Sequence, residues 1–175
     1  LRFESRYSDM TDNSPKPKQR NTLPPGVTPL AEAKQLSGLD FMRGIMEGRY
    51  PPPPIAAALK FELVEVESGR ARFEGVPEFA FYNPIGVVHG GYAATLLDSC
   101  MGCAVHASLP AGLAYTTLEF KINFVRAITD KTGRVRAEGR VIHPGNRAAT
   151  AEGHIYDAQG KLLAHGTTTC LVFPI

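Results

Sequence analysis

The chain has 175 residues and a formal charge of +2, a length that suits one domain with its own hydrophobic core. Eight basic and six acidic side chains lie in residues 1–50, and residues 51–175 hold eleven of each, so the main body carries no basic footprint for nucleic acid. Three cysteines and no apolar run of membrane-spanning length exclude a disulfide framework and a spanning helix, and point to a reducing, cytoplasmic setting.

Nine of the 14 prolines fall in residues 15–54. Residues 1–29 are polar, lack any period and read as a flexible segment without the apolar stretch of a secretory leader. In residues 30–54, Leu36, Leu39, Met42 and Ile45 or Met46 recur near helical spacing. One or two short helices are predicted there, with Gly38 and Gly44 as weak points. Pro51–Pro54 cannot be helix or central strand and is read as a polyproline connector.

The main domain is placed at 55–175. Leu59, Phe61 and Leu63 alternate with polar residues, and Val64 and Val66 continue in the opposite phase, which predicts a bulge. Ser68-Gly69 turns the chain into a second alternating run, Arg70–Glu74. After a loop at 81–91, Ala93, Leu96, Leu97, Cys100 and Ala104 form one apolar stripe of a helix running from about Gly90 to Ala107. Strands follow. In the first, Leu118, Phe120, Ile122 and Phe124 alternate with Thr117, Glu119, Lys121 and Asn123, which puts those polar residues on the face away from the helix. Runs at 133–141, 149–156 and 162–173 complete the set, with a hairpin turn at Asp157-Ala158-Gln159-Gly160. About six strands and one long helix predict an antiparallel α+β domain.

The residues suited to chemistry gather between 83 and 117. His89-Gly90-Gly91 opens the long helix, where unpaired N–H groups and the helix dipole favour an oxyanion. The same glycines also suit a plain loop-to-helix turn. Asp98 lies off the apolar stripe beside Gly91, Ala94 and Gly102, a face narrow enough for close approach by a ligand or backbone. Asn83 offers an amide N–H to a carbonyl, or folds its own Asn-Pro turn. Cys100 and Cys103 sit in mid-helix, away from the terminus where a redox pair gains a low pKa, and read as buried small side chains. His106 falls near the helix C-terminus, where a cation is favoured.

Asn83-Pro-Ile-Gly86-Val-Val-His89-Gly90-Gly91 followed by Asp98 resembles the hotdog-fold acyl-CoA thioesterases of the PaaI type. The likeness extends through Thr116–Phe124, Gly145-Asn146-Arg147 and Asp157–Gly166. It implies a long helix wrapped by a curved antiparallel sheet of about six strands. It also implies a homodimer with a continuous sheet, and pairing of dimers. The active site would lie between protomers and use no metal or cofactor. On this resemblance Asp98 is the general base or nucleophile. Gly90 N–H and the Asn83 amide polarise the thioester carbonyl beside His89 and Gly91. Thr117 or Thr116 places water, and Arg126 and Arg147 are candidates for CoA phosphates. The substrate would be an aryl- or short- to medium-chain acyl-CoA. A non-catalytic acyl-CoA-binding protein and an enoyl-CoA hydratase or dehydratase are the alternatives.

Overall fold

The computed structural model describes residues 21–175; residues 1–20, most of the segment expected to be flexible, lie outside the described residues. Three short helices come first: α1 (Leu30–Ala33), α2 (Gly38–Met46) and α3 (Pro54–Ala58). Strands β1 (Phe61–Glu67) and β2 (Arg70–Gly75) form a hairpin, and the long helix α4 spans Gly90–His106. Strands β3 (Leu113–Phe124), β4 (Val135–His143), β5 (Ala148–Tyr156) and β6 (Leu162–Pro174) follow. All pairings are antiparallel, in the order β1-β2-β4-β5-β6-β3. The sheet wraps α4, which is the α+β hotdog arrangement.

The apolar stripe of α4 is the core. Leu96, Leu97, Cys100, Met101, Ala104 and Val105 are all fully buried, and each of the larger side chains contributes about 1.5–3 kcal/mol. The helix approaches the sheet so closely because the sheet has a glycine seam. Gly139 and Gly153 face each other across β4 and β5. A Cβ on Gly139 would overlap the Cys100 carbonyl oxygen, and one on Gly153 would stand 2.8 Å from Met101. Gaps this small leave room for hydrogen only, so α4 rests on strand backbone.

The β1 bulge expected near Val64 is present, between Leu63 and Glu65. A second bulge, between Thr117 and Glu119 of β3, corrects the single alternating phase expected for that strand. It inserts Leu118 as the extra residue, so Thr117 turns toward α4 while Glu119, Lys121 and Asn123 stay outside. The Thr168 hydroxyl, buried in β6, donates to the Glu119 carbonyl at 2.7 Å and holds the bulge.

The N-terminal elements cover the β1 edge and the C-terminal end of α4. Asn21 donates from its amide to the carbonyls of Ile45 and Tyr50, and Gly26 N–H to Pro52. Gly38 is a packing position rather than a weak point: its Cβ would overlap the His106 carbonyl. Gly44 likewise admits the Tyr50 ring. Pro54 opens α3 at its first turn, where its missing N–H costs nothing, so the extended connector stops at Pro53. Among the described residues no helix is long and apolar enough to cross a membrane.

Candidate active site

The loop ahead of α4 is closed at its base by a Tyr82–Val88 bridge and by Asn83 N–H on the Val87 carbonyl. Asn83 Oδ1 accepts from Ile85 and Val87 N–H at 3.1 and 3.2 Å. The Asn-Pro turn expected of this residue is therefore real. It occupies only the amide oxygen, so the amide nitrogen is the atom left for a ligand. Gly86 adopts φ +88° to close the loop, a conformation that suits glycine.

His89 is the N-cap of α4, and its Nδ1 accepts from Gly91 N–H at 2.8 Å. That bond puts the ring proton of the neutral side chain on Nε2. Gly91 is small for this reason: a Cβ there would crowd the His89 ring at 2.9 Å. Tyr92 N–H goes to the His89 carbonyl, and Gly90 N–H has no partner among the described residues. It opens on a cleft of about 310 Å³ lined by Asn83, His89, Gly90, Phe124 and Arg126 among others. The Phe124 ring lies over Gly90, 3.0 Å from where a Cβ would stand.

Asp98 lies two turns further along, about 12 Å from Gly90 at 1.5 Å per residue. Its Oδ1 accepts from the Thr117 hydroxyl at 2.9 Å. Thr116 is exposed on the other face of β3, so Thr117 is the one that meets the carboxylate. The glycines beside Asp98 admit side chains of the same chain, which corrects the reading of a face kept narrow for a ligand or another backbone. Gly91 admits His89, and Gly102 admits the Tyr115 ring, whose hydroxyl would stand 2.6 Å from a Cβ.

Arg126 and Arg147 stand at opposite ends of the sheet. Arg126 follows β3 beside Phe124 and donates to the Leu162 carbonyl at 2.8 Å. Arg147 precedes β5, and its carbonyl accepts from Val172 N–H, next to Tyr115 in register. Within one chain the structure thus gathers Asn83, His89, Gly90 and Arg126 at one end. It pairs Asp98 with Thr117 in the middle and leaves Arg147 apart.

Burial explains the remaining titratable groups. Cys100 and Cys103 are raised by burial, Cys103 to about 12, so both stay protonated. His106 is packed between Phe41 and Tyr115 at ring-centroid distances of 5.7 and 5.6 Å. Burial lowers its pKa, which overturns the expectation of a helix-end cation. Tyr115, missed in the sequence, has its pKa raised well above the usual value, first by burial and then by Cys103 and Asp98. It shares the face of Thr117 by ordinary alternation, and the bulge after Thr117 hid that this face is the one toward α4. Among the described residues no three His, Cys, Asp or Glu side chains are grouped to hold a metal ion.

The thioesterase superfamily model matches residues 85–164, from the Asn83–His89 loop into the start of β6. The chain is 31% identical over 104 residues to a candidate esterase of Saccharolobus solfataricus, covering 59% of this chain and 72% of that protein. A solved candidate thioesterase of Ralstonia eutropha JMP134, described as a phenylacetic acid degradation-related protein, is 28% identical with a TM-score of 0.68. That match covers 75% of this chain and 98% of the other. A Streptococcus mutans UA159 protein, solved bound to acetyl-CoA, shares the fold at 24% identity and a TM-score of 0.60, over 66% of this chain and 90% of that one. The chain belongs to the thioesterase superfamily and has the hotdog fold. These similarities support thioester hydrolysis as its general activity.

Proposed function

We propose that this protein is a cytoplasmic acyl-CoA thioesterase, releasing a free acid and CoA from an aryl- or short- to medium-chain acyl thioester. The observation that carries the reading is the Asp98 carboxylate held by Thr117 at 2.9 Å, on the same helix whose first turn presents a free Gly90 N–H. Thioester hydrolysis needs both parts: a base or nucleophile at the carbonyl carbon and donors at its oxygen.

One chain holds the two parts too far apart for one substrate. The bare edge strand β3 supplies the remedy. Leu118, Phe120, Phe124 and Val125 are 59%, 39%, 61% and 45% exposed along and just beyond it. A long apolar edge of this kind calls for a strand partner. A second copy pairing antiparallel across β3 would bring the Asp98 of one protomer toward the Gly90 of its mate. Two such dimers would then associate into the tetramer.

In the assembled site the Gly90 N–H and Asn83 amide donate to the carbonyl oxygen. Asp98, oriented by Thr117, takes a proton from water as the water oxygen attacks the carbonyl carbon. The oxyanion collapses, the C–S bond breaks, and the CoA thiolate leaves. In the nucleophilic variant Asp98 itself attacks and water cleaves the resulting anhydride. Arg126 at the cleft mouth and Arg147, on the partner, receive the phosphates of CoA. Binding of acetyl-CoA by the Streptococcus mutans neighbour supports the choice of thioester. The His89 cap weighs against a hydratase: its Nδ1 is engaged with Gly91. The neutral ring then presents Nε2–H, which can donate but has no lone pair to take a proton from an attacking water.

The test is release of free thiol from a panel of acyl- and aryl-CoA esters. Turnover that disappears in Asp98→Asn is the expected result. Tight binding without turnover by the unaltered protein would select the non-catalytic alternative.

A further inference from the structure

Strand β3 ends the sheet and pairs only with β6. The dimer proposed above joins two copies of this edge, and the side chains along it restrict how they can meet. After the bulge, Phe120, Ile122 and Phe124 stand opposite Thr168, Gly166 and Ala164, buried residues of β6 that face α4. Glu119 and Lys121 stand opposite Thr169 and Thr167, on the outer face. Before the bulge, Tyr115 and Thr117 face inward, opposite Val172 and Cys170. Two features of the edge go unmatched within the chain. Phe120 and Phe124 lie on the α4 side, yet they are 39% and 61% exposed, because α4 of their own chain leaves much of them bare. Glu119 and Lys121 are exposed and enter no ion pair among the described residues. Elsewhere on that face neighbouring strands match their charges, as Arg72 of β2 does with Glu65 of β1 at 2.9 Å, and Arg140 of β4 with Glu152 of β5.

Residues directly opposite each other in an antiparallel pair point to the same face. About a two-fold axis, residue i meets j and j meets i. Inward and outward residues alternate from Glu119 to Phe124, so the axis must pass through one residue rather than between two. An axis at Glu119 or at Lys121 sets like charges directly opposite each other, which is destabilising. An axis at Ile122 sets Lys121 against the partner's Asn123 and carries Glu119 past the end of the strand. An axis at Phe120 sets Glu119 against the partner's Lys121 and, by symmetry, Lys121 against the partner's Glu119. The two Phe120 side chains then meet on the inner face, where an aromatic pair adds to the contact.

We propose that two copies of β3 pair with Phe120 on the two-fold axis, held in register by Glu119 and the partner's Lys121. The proposal rests on the shared-site reading and deepens it by fixing how the copies align. With Leu118 counted as the extra residue, Thr117 falls opposite the partner's Ile122, and Tyr115 opposite the partner's Phe124. Phe124 lies over Gly90, and Thr117 holds Asp98 at 2.9 Å. The carboxylate of one chain is thereby carried toward the first turn of the other chain's α4, and Tyr115 covers the partner's Phe124. The ion pairs on the outer face set the alignment of base and donor on the inner face.

The experiment measures the dimer dissociation constant by sedimentation equilibrium on the unaltered full chain, Glu119→Lys, Lys121→Glu and the double variant carrying both. Each single change turns two attractive pairs into two repulsive ones and should weaken the dimer about tenfold or more. The double variant exchanges the charges and restores the attraction, so its constant should return to within about threefold of the unaltered value. Mild oxidation of Phe120→Cys should link two chains by a disulfide, and Lys121→Cys, displaced from the axis, should link more slowly. The unaltered chain, whose cysteines are buried or half-buried, is the blank. If the unaltered chain is a dimer and both single variants dimerise equally well, the register is wrong. A double variant no better than the singles, or faster linkage by Lys121→Cys, also overturns it. In each of those cases the β3 edge is judged separately, by whether Leu118→Lys still dissociates the dimer. An unaltered chain that is monomeric and active overturns the shared-site reading and the register with it.

Discussion

The two ends of the candidate site differ in what they are made of. At the start of α4 the proposed working group is a backbone N–H, half-buried beside the exposed His89 and placed by loop closure and by a cap. Two turns on, the working group is a side chain, half-buried and placed by a strand bulge. The first end stabilises negative charge and has no base. The second has a base and no donor for an oxyanion. On the proposed reading each is complete as local structure and incomplete as chemistry, and a second copy across the bare β3 edge would join them.

The largest effects should come from breaking each end separately. Asp98→Asn removes the base. Gly90→Pro removes the donor while suiting the helix, because proline is tolerated at the first helical position and His89 already has the extended φ −58°, ψ 137° that must precede it. The exposed Phe124 ring has room to move aside. Each change should lower kcat by about 10²–10³. Mixing the two dead variants under subunit exchange should restore about a quarter of full activity, because half the dimers are mixed and each contains one intact site. Absence of recovery in a mixture shown to exchange would mean that both ends act within one chain.

The next effect concerns the edge. Leu118→Lys places a charge on β3 where the bulge leaves an exposed apolar side chain. Removing a leucine from an interface costs about 1.5–3 kcal/mol; a two-fold dimer loses two of them, which weakens it by at least about a hundredfold. Sedimentation equilibrium and activity measured over one concentration series should fall together. Activity that survives in the monomer would contradict the shared site.

Thr117→Val tests the middle of α4 alone. It keeps the shape of the side chain and deletes the hydroxyl held to Asp98 at 2.9 Å. A hydrogen bond to a charged group contributes about 1.5 kcal/mol, so kcat should fall about tenfold with KM little changed. A loss confined to KM would make Thr117 a binding residue.

The smallest effect is in pH dependence. The folded pKa of His106 is depressed below its ordinary 6.5 by burial. Below that pH the unfolded chain takes up the proton and the folded chain resists it. The His106 contribution is therefore fully present above about pH 7 and is lost as pH falls below 6.5. Denaturant unfolding at several pH values should show a shallower acid decline for His106→Gln. An identical decline in both proteins would place the acid sensitivity elsewhere.

Much of this molecule was legible in the residues themselves. The stripe Ala93, Leu96, Leu97, Cys100 and Ala104 specifies α4 because apolar side chains at that spacing have only one buried face to share. The turns at Ser68-Gly69 and Asp157–Gly160 mark hairpins because left-handed backbone there favours glycine, at φ +74° and +78°. Asn83, His89, Gly90 and Asp98 stand out for the chemistry they carry, and structure gathers the first three into one cleft. Tertiary structure alone decided the rest. Which face Thr117 occupies depends on an extra residue in β3, and a bulge is a property of strand pairing that a single strand does not display. Gly139 and Gly153 look like strand-weakening residues until α4 is laid on them, its backbone at Cys100 on the first and its Met101 and Leu97 side chains on the second. His106 looks like a helix-end cation until Phe41, from a region that reads as an appendage, closes over it and makes the charged form costly. The distance between Gly90 and Asp98 follows from helix geometry, but the proposal that one chain carries two unlike halves of a site rests on β3 being an edge, which only strand pairing decides.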